Sequence, residues 1–497
     1  MKTAGVIAEY NPFHNGHKYQ LDKIRQETGA DYIIAAMSGD FLQRGVPALT
    51  DKYRRTRMAL AEGADLVIEL PCVYAAASAE LFARGGVNLL AAAGVVDVLC
   101  YGCEINQPDL MKKLVSLLTE ESPEYQKLLR AHLSAGVPYP TARVKALSFL
   151  LAEKSPTPEI NNKEHAMEAF LATPNNILAL EYEKALALLP DSISHKPVSH
   201  PILRVGGGYH SRELFPGTNH HSCPDSHPAP DHETTAVFSP STGAREAGFN
   251  ANADTGTASF ASATAIRNAL DSCNSENDIR ETLSQAVPDS VLNMLCDAFF
   301  HQALLTVDDF SLTLYTRLWS CRESGYESFA DCSRELSHKI QNHLDEFVSF
   351  TQFAKLLKSR EVTYTRVCRV LTHIMLGITR EDPTARHTTM GITQEDPTAR
   401  HTTTAITREN LAVPAPVPYL RVLGFRKSAA PLLSAIKKEA SAPLVTKVSD
   451  ASRILSPSAY SMLQKDIHCA DLYRSTISMR SRTKLPNEFT QGLIIVP

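Results

Sequence analysis

The chain has 497 residues, 43% of them hydrophobic, and a net charge of −4. That length points to two or more domains with sizeable cores, and the charge excludes a basic surface spread over the whole molecule. Ten cysteines at this length exclude a disulfide framework. No apolar run approaches the roughly 18 residues a spanning helix needs, so a soluble, cytoplasmic protein with no membrane partner is expected.

The first hundred residues alternate regularly. "GVIAEY" reads as a strand and 17–28 as a helix. "DYIIAAMSG" is a second strand, and "DKYRRTRMALAEG" a helix ending at Gly63. "ADLVIELP", the helix "SAELFARGGVNLLAAAG" and "VVDVLCYG" follow. Short apolar strands alternating with helices predict an α/β fold with a parallel sheet covered on both faces. Ligands of such sheets bind beyond the carboxyl ends of the strands, where "NPFHNGH", "MSGDF" and "YGCE" fall.

Residues 105–200 read mostly helical, with "TPNNILALEYEKAL" opening at Pro174, and "ILRVGGGYH" follows at 202–210. Residues 211–258 are a low-complexity insertion rich in His, Ser, Pro and Gly. His220, His221, Cys223, His227 and His232 have metal-ligating chemistry, but a solvated loop is the plainer reading there. Cys100 and Cys103 form an isolated C-x-x-C with no second pair, so no metal site is assigned. From residue 271 to about 376 the pattern is helical. "GITREDPTARHTTM" (377–390) is then repeated as "GITQEDPTARHTTT" (391–404), a tandem duplication too short for a solenoid, and it is given no catalytic role. "PYLRVLGF" and "PLVTKVSD" predict the strands of a final, small α/β unit. From Leu411 to Pro497 there are 12 Lys/Arg against 5 Asp/Glu, a basic excess able to meet phosphates. Two divisions follow: 1–270 with the 211–258 insertion, and a mainly helical 271–497 with the 377–404 insertion.

In "NPFHNGH" two imidazoles stand three residues apart where a strand hands over to a helix. Free N–H groups and a partial positive charge at that helix end suit phosphate. Gly16 removes a side chain where phosphate would approach the backbone, and His14 and His17 can donate hydrogen bonds to its oxygens. Such donors stabilise charge growing on an α-phosphate as pyrophosphate leaves. "SATAIR" adds the hydroxyls of Ser262 and Thr264 and the guanidinium of Arg267, which binds phosphate bidentately.

Together with "MSGDFLQRGVPAL", "KYRRTRMALAEGADLVIELP", "SAELFARGGVNLL", "NNILALEY", "ILRVGGGYH" and "YTRVCRVLTHIMLGI", these motifs make the chain resemble the bacterial tRNA(Met) cytidine acetate ligase family. These are proteins with a Rossmann-like nucleotidylyltransferase domain. The resemblance implies ATP-dependent activation of acetate as acetyl-adenylate. It also implies acetylation of the wobble cytidine of elongator tRNA(Met). Mg²⁺ is expected to accompany ATP. The resemblance places ATP along Ile7, Ala8, Glu9, Tyr10, Asn11, Pro12, Phe13, His14, Asn15, Gly16, His17, Lys18, Tyr19 and Gln20. Further contacts match Gly102, Arg204 and either Asn175 or Asn176. Arg360, Arg366 and Arg369, and Arg480, Arg482 and Lys484 at the chain end, are candidates for tRNA phosphates. Asp40 and Cys103 depart from the family pattern at the edge of the site. An adenylyltransferase of coenzyme biosynthesis and a non-catalytic RNA-binding protein are the alternatives. The length of the C-terminal half weighs against the first, and the intact His14, Gly16, His17 and Arg267 against the second.

Overall fold

A computed structural model of the protein describes residues 1–120, 122–135, 137, 139–154, 167–171, 173–191, 193–204, 260–382 and 417–497. The 211–258 segment with its five histidines and cysteine lies outside the described residues, as does the repeat beyond Asp382.

The expected alternation forms. β1 (Thr3–Ala8) runs into α1 (Asn15–Thr28), then β2 (Tyr32–Ser38). A two-stranded hairpin, β3 (Phe41–Leu42) and β4 (Val46–Pro47), precedes α2 (Lys52–Ala61) and β5 (Leu66–Leu70). β6 (Val98–Cys103) and β7 (Val198–Leu203) complete the parallel set. The order β5-β2-β1-β6-β7 places β1 between β2 and β6, so the winding reverses beside β1. Val6 sits opposite Ala35 on one side and Cys100 on the other. A crevice for ligand opens at the carboxyl ends of strands at such a reversal.

Alternate residues of a strand face opposite sides. Ile33, Ala35 and Met37 pack with Leu21 and Ile24 of α1, Met58 and Leu60 of α2, and Ile266 of the helix Ala263–Asp271. Ile34 and Ala36 pack on the other side with Phe82 and Leu90 of the helix Ala79–Ala92. That second core continues without a break into the helical region, through Phe310, Phe353 and Leu371, to Tyr473 of the helix Pro457–Ser481.

The strands expected near the chain end also form, but as part of the same sheet. β8 (Leu420–Arg426) pairs antiparallel with β5; β9 (Leu444–Val445) and β10 (Ile494–Val496) pair with β8. The division after residue 270 is therefore not an edge of the sheet. Pairing partners hundreds of residues apart leave no local trace in sequence.

The described start of the repeat is packed into the fold. Gly377, in the left-handed region, caps the helix Tyr364–Leu376, and Ile378 is buried. Asp382 pairs with Lys465 at 2.5 Å.

Candidate active site

His14 is the N-cap of α1 in extended backbone. Its Nδ1 accepts the N–H of Gly16 at 3.1 Å, and its own N–H donates to Nδ1 of His17 at 3.3 Å. The two rings stack with centroids 3.7 Å apart. A ring nitrogen that accepts a backbone N–H carries no proton, so the network assigns the proton of each neutral ring to Nε2. Burial, with Arg204 and Arg267 nearby, pushes His14 down to about 3. Burial, then His14 and Arg204, holds His17 well below the usual histidine range. Both rings are therefore neutral Nε2–H donors at physiological pH. A side chain at position 16 would also meet the capping histidine: a Cβ there would lie 2.9 Å from His14 Cε1. The ring of His14 lies against that space.

The residues from Ile7 to Gln20 divide by role. Ile7 packs where a Cβ on Gly86 would lie 2.6 Å from its Cδ1, and Ala8 ends β1 half-buried. Tyr10 and Phe13 are buried and flank the His17 ring at 5.0 and 5.4 Å. Asn11 accepts the Leu49 N–H through Oδ1 at 2.7 Å, and Pro12 is buried beside it. Asn15 ties the start of α1 to the Gln285 carbonyl at 2.8 Å, Lys18 pairs with Glu62 at 3.1 Å, and Tyr19 meets Phe260. Gln20 is half-buried. Glu9 accepts the Gln43 N–H at 2.9 Å. Many of these residues thus build the turn that holds the two imidazoles.

"SATAIR" comes to the same place. Ser262 caps its helix, accepting the Ala265 N–H at 3.1 Å. Arg267 donates to the Asn11 carbonyl at 2.7 Å and to Thr264 Oγ1 at 3.1 Å, which fixes its guanidinium beside the β1–α1 turn. On the β6 side the Arg204 side chain lies over Gly102, where a Cβ would meet Arg204 Cγ at 3.3 Å. Asn176 is fully buried, and its amide brackets the backbone of Glu104 and Ile105. Half-buried Asn175 donates to the Glu104 carboxylate. Of the two, Asn176 is committed to the loop after β6.

Two buried cations of α2 carry roles that a helical pattern by itself does not assign. Arg55, completely buried, donates to the carbonyls of Thr50, Glu9, Ser38 and Gly39 and so ties together the chain beyond β1 and β2. Lys52, on the same helix face, pairs with Glu69 at 2.8 Å and Glu488 at 2.9 Å, while Arg421 faces the same two carboxylates. Helical spacing of Lys52, Arg55, Met58 and Ala59 puts two cations on the apolar stripe of α2, and that was the available signal. Asp40, a departure from the family pattern, accepts the Lys52 N–H at 2.8 Å. Cys103 is buried against the Ile202 carbonyl.

The candidate RNA cations scatter. Arg369 is paired with Asp331 at 3.0 Å and Arg366 donates to the Asp331 carbonyl, whereas Arg360 is exposed. Arg480 pairs with Asp309 at 2.9 Å; Arg482 and Lys484 are exposed.

A Rossmann-type sheet with a histidine-capped helix at its winding reversal is the architecture of a nucleotidyl transferase. The family model described as HIGH Nucleotidyl Transferase matches residues 1–223, 233–394 and 398–487. The chain is 31% identical to the tRNA(Met) cytidine acetate ligase of Acetivibrio thermocellus, over 100% of both chains. It is 32% identical to that of Clostridium kluyveri, over 94% of this chain and 96% of the relative. A crystal structure of Thermotoga maritima TmcAL bound with alpha-thio ATP superposes with a TM-score of 0.74 at 25% identity, covering 100% and 99% of the two chains. The chain therefore belongs, within the nucleotidyl transferases, to the tRNA(Met) cytidine acetate ligase family.

Proposed function

We propose that this protein activates acetate with ATP and transfers the acetyl group to N4 of the wobble cytidine of elongator tRNA(Met). The observation that carries the reading is the pair of Nε2–H donors on His14 and His17, set by backbone hydrogen bonds beside Arg204 and Arg267. Acetate, with a pKa near that of a glutamate side chain, about 4.3, is ionised at neutral pH and needs no general base. Its oxygen attacks the α-phosphorus, and the bond to the bridging oxygen of pyrophosphate breaks. Charge growing on the phosphate oxygens meets the two imidazole donors, the α1 N-terminus and the guanidiniums. The exocyclic amine of the splayed cytidine then attacks the acetyl carbon, AMP leaves, and the amine loses one proton.

Mg²⁺ would arrive with the triphosphate. Among the described residues no group of three or more His, Cys, Asp or Glu side chains is placed to hold a metal ion, and no step here is routed through one. The tRNA is gripped by the helical region and the basic chain end, where Arg360, Arg482 and Lys484 are exposed. Among the described residues no helix is long and apolar enough to cross a membrane and every cysteine is a free thiol, which supports a cytoplasmic site of action.

The test incubates the protein with ATP, acetate and total tRNA, followed by mass spectrometry of the tRNA nucleosides. N4-acetylcytidine that depends on acetate and ATP is expected. Its absence, or transfer of AMP to a phosphorylated small molecule instead, overturns the reading.

A further inference from the structure

The β3–β4 hairpin lies between the nucleotide turn and the helical region and is bonded to both. On one side, the Gln43 N–H donates to the Glu9 carboxylate just beyond β1, at 2.9 Å. On the other, the hairpin presses its tip onto the helix Tyr364–Leu376. Gly45 has φ +70°, and a Cβ on it would lie 2.2 Å from the Arg369 nitrogen and 2.4 Å from its Cα. Backbone thus rests on backbone, with no flexible side chain to yield. The Gly45 carbonyl accepts the Thr372 hydroxyl at 2.8 Å, and Thr372 is fully buried. Phe41 at the hairpin base packs edge-on against Phe310 and Tyr473, with centroids 5.6 and 6.2 Å away. Tyr473 donates to the Ala48 carbonyl just past β4 at 2.8 Å. The helix that receives Gly45 is also tied to the sheet side by His373, whose Nε2 lies 2.8 Å from the Ala76 carbonyl.

Besides their shared core, the ATP motifs of the first 270 residues and the helical region are thus joined by a seven-residue hairpin bonded on both sides. Group transfer between a bound adenylate and a base held by another part of the chain is sensitive to misplacement of about 1 Å.

We infer that Gly45 and Thr372 are positioning residues for the acetyl-transfer step: their close contact sets the RNA-side helices against the nucleotide turn. The inference rests on the acetate ligase reading above. It predicts a split between steps. ATP binding uses groups on the sheet side and is insensitive to the contact, whereas transfer to tRNA depends on it.

The experiment uses full-length Thr372→Val, Thr372→Ser and Gly45→Ala proteins, assayed well below their melting temperatures. Three quantities are read: ATP affinity by calorimetry, kcat and KM for tRNA acetylation, and melting temperature. Thr372→Val keeps the side-chain volume but leaves the Gly45 carbonyl unpaired. It should lower kcat about tenfold with ATP affinity within twofold, and Thr372→Ser should restore the rate. Gly45→Ala, which must push the hairpin off the helix, should lower kcat further. If Gly45→Ala does not fold, the Thr372 pair decides alone. Native kcat in Thr372→Val overturns the inference, as does an equal loss of ATP affinity and acetylation. A wild-type protein that makes no N4-acetylcytidine overturns instead the reading on which the inference rests.

Discussion

Two buried polar clusters lie at the carboxyl ends of β1 and β5 in the same sheet, and they solve burial in opposite ways. At the β1–α1 turn, burial strips the charge from His14 and His17, leaving neutral donors aimed by their own backbone. At the end of β5, Lys52 and Arg421 keep their charges because Glu69 and Glu488 face them. The first cluster leaves two donor hydrogens for a ligand; the second pairs its charges with one another, with each of the four side chains 6% exposed or less. Burial of a polar group is therefore no guide to function until its remaining hydrogen-bonding capacity is counted.

The sharpest break in that comparison comes from deleting the open donors. His14→Ala or His17→Ala should lower acetate-dependent tRNA acetylation by about 10²–10³-fold, the usual loss for one transition-state donor. Losing the His14 cap should cost only about 1 kcal/mol of stability. A His17→Ala enzyme with near-normal rate would remove the phosphate role.

The closed cluster should respond the other way. Glu488→Gln leaves two cations facing one carboxylate and should cost about 3–5 kcal/mol in chemical denaturation. Adding Arg421→Met should recover part of it by restoring the balance.

The pH dependence of unfolding should separate the two clusters. The histidines are depressed on folding, so their contribution is complete above pH 6.5 and declines as pH falls toward 3. Burial raises the Glu488 carboxyl but Lys52 and Arg421 outweigh it, holding it down to about 2. Its stabilisation is present above about 4.5 and lost as pH falls toward 2. Asp40 runs the opposite course. Burial pushes it up to about 7 against the pull of Lys52 and Arg55, so stability from this group is greatest below about 4 and declines as pH rises through 7. Asp40→Asn should remove the decline in stability between about pH 4 and 7; an unchanged slope in that window would contradict the assignment.

Changes that touch neither cluster calibrate the comparison. Charge reversal at Arg480, Arg482 and Lys484 should weaken tRNA binding severalfold, reduce its salt dependence and leave ATP affinity unchanged. Because Arg480 also pairs with Asp309, a small stability loss accompanies it. Unaltered tRNA affinity would take the chain end out of the binding surface. Smallest of all, deleting 391–404 should leave acetylation intact, since the first copy remains with its packed Ile378 and Asp382. Lost activity in that folded variant would give the second copy a role.

The open cluster was legible in sequence because it is local. His14 and His17 stand three residues apart at a strand-to-helix switch, and the pattern alone fixes their shared helix end. Arg267 was legible through its own motif, although its bond to the Asn11 carbonyl crosses 256 positions. The closed cluster was not, because Lys52 and Glu488 are 436 positions apart and a lone acidic residue near the chain end carries no pattern. The ion pair of Arg369 with Asp331 was hidden for the same kind of reason. The helical position of Arg369 was readable, but Asp331, which takes its charge, lies 38 positions away in an irregular stretch.

The antiparallel pairing of β8 onto β5 carries a consequence for the birth of the protein. Roughly 350 residues separate the two strands. At a synthesis rate of about 5–20 residues per second, β5 leaves the ribosome some 20–70 s before the strand that covers its edge. Throughout that interval "LVIEL", every residue of it buried once folding is complete, presents an unpaired rim of N–H and C=O groups to whatever is nearby. A chaperone that shields this one segment during translation would protect the whole nucleotide-binding sheet.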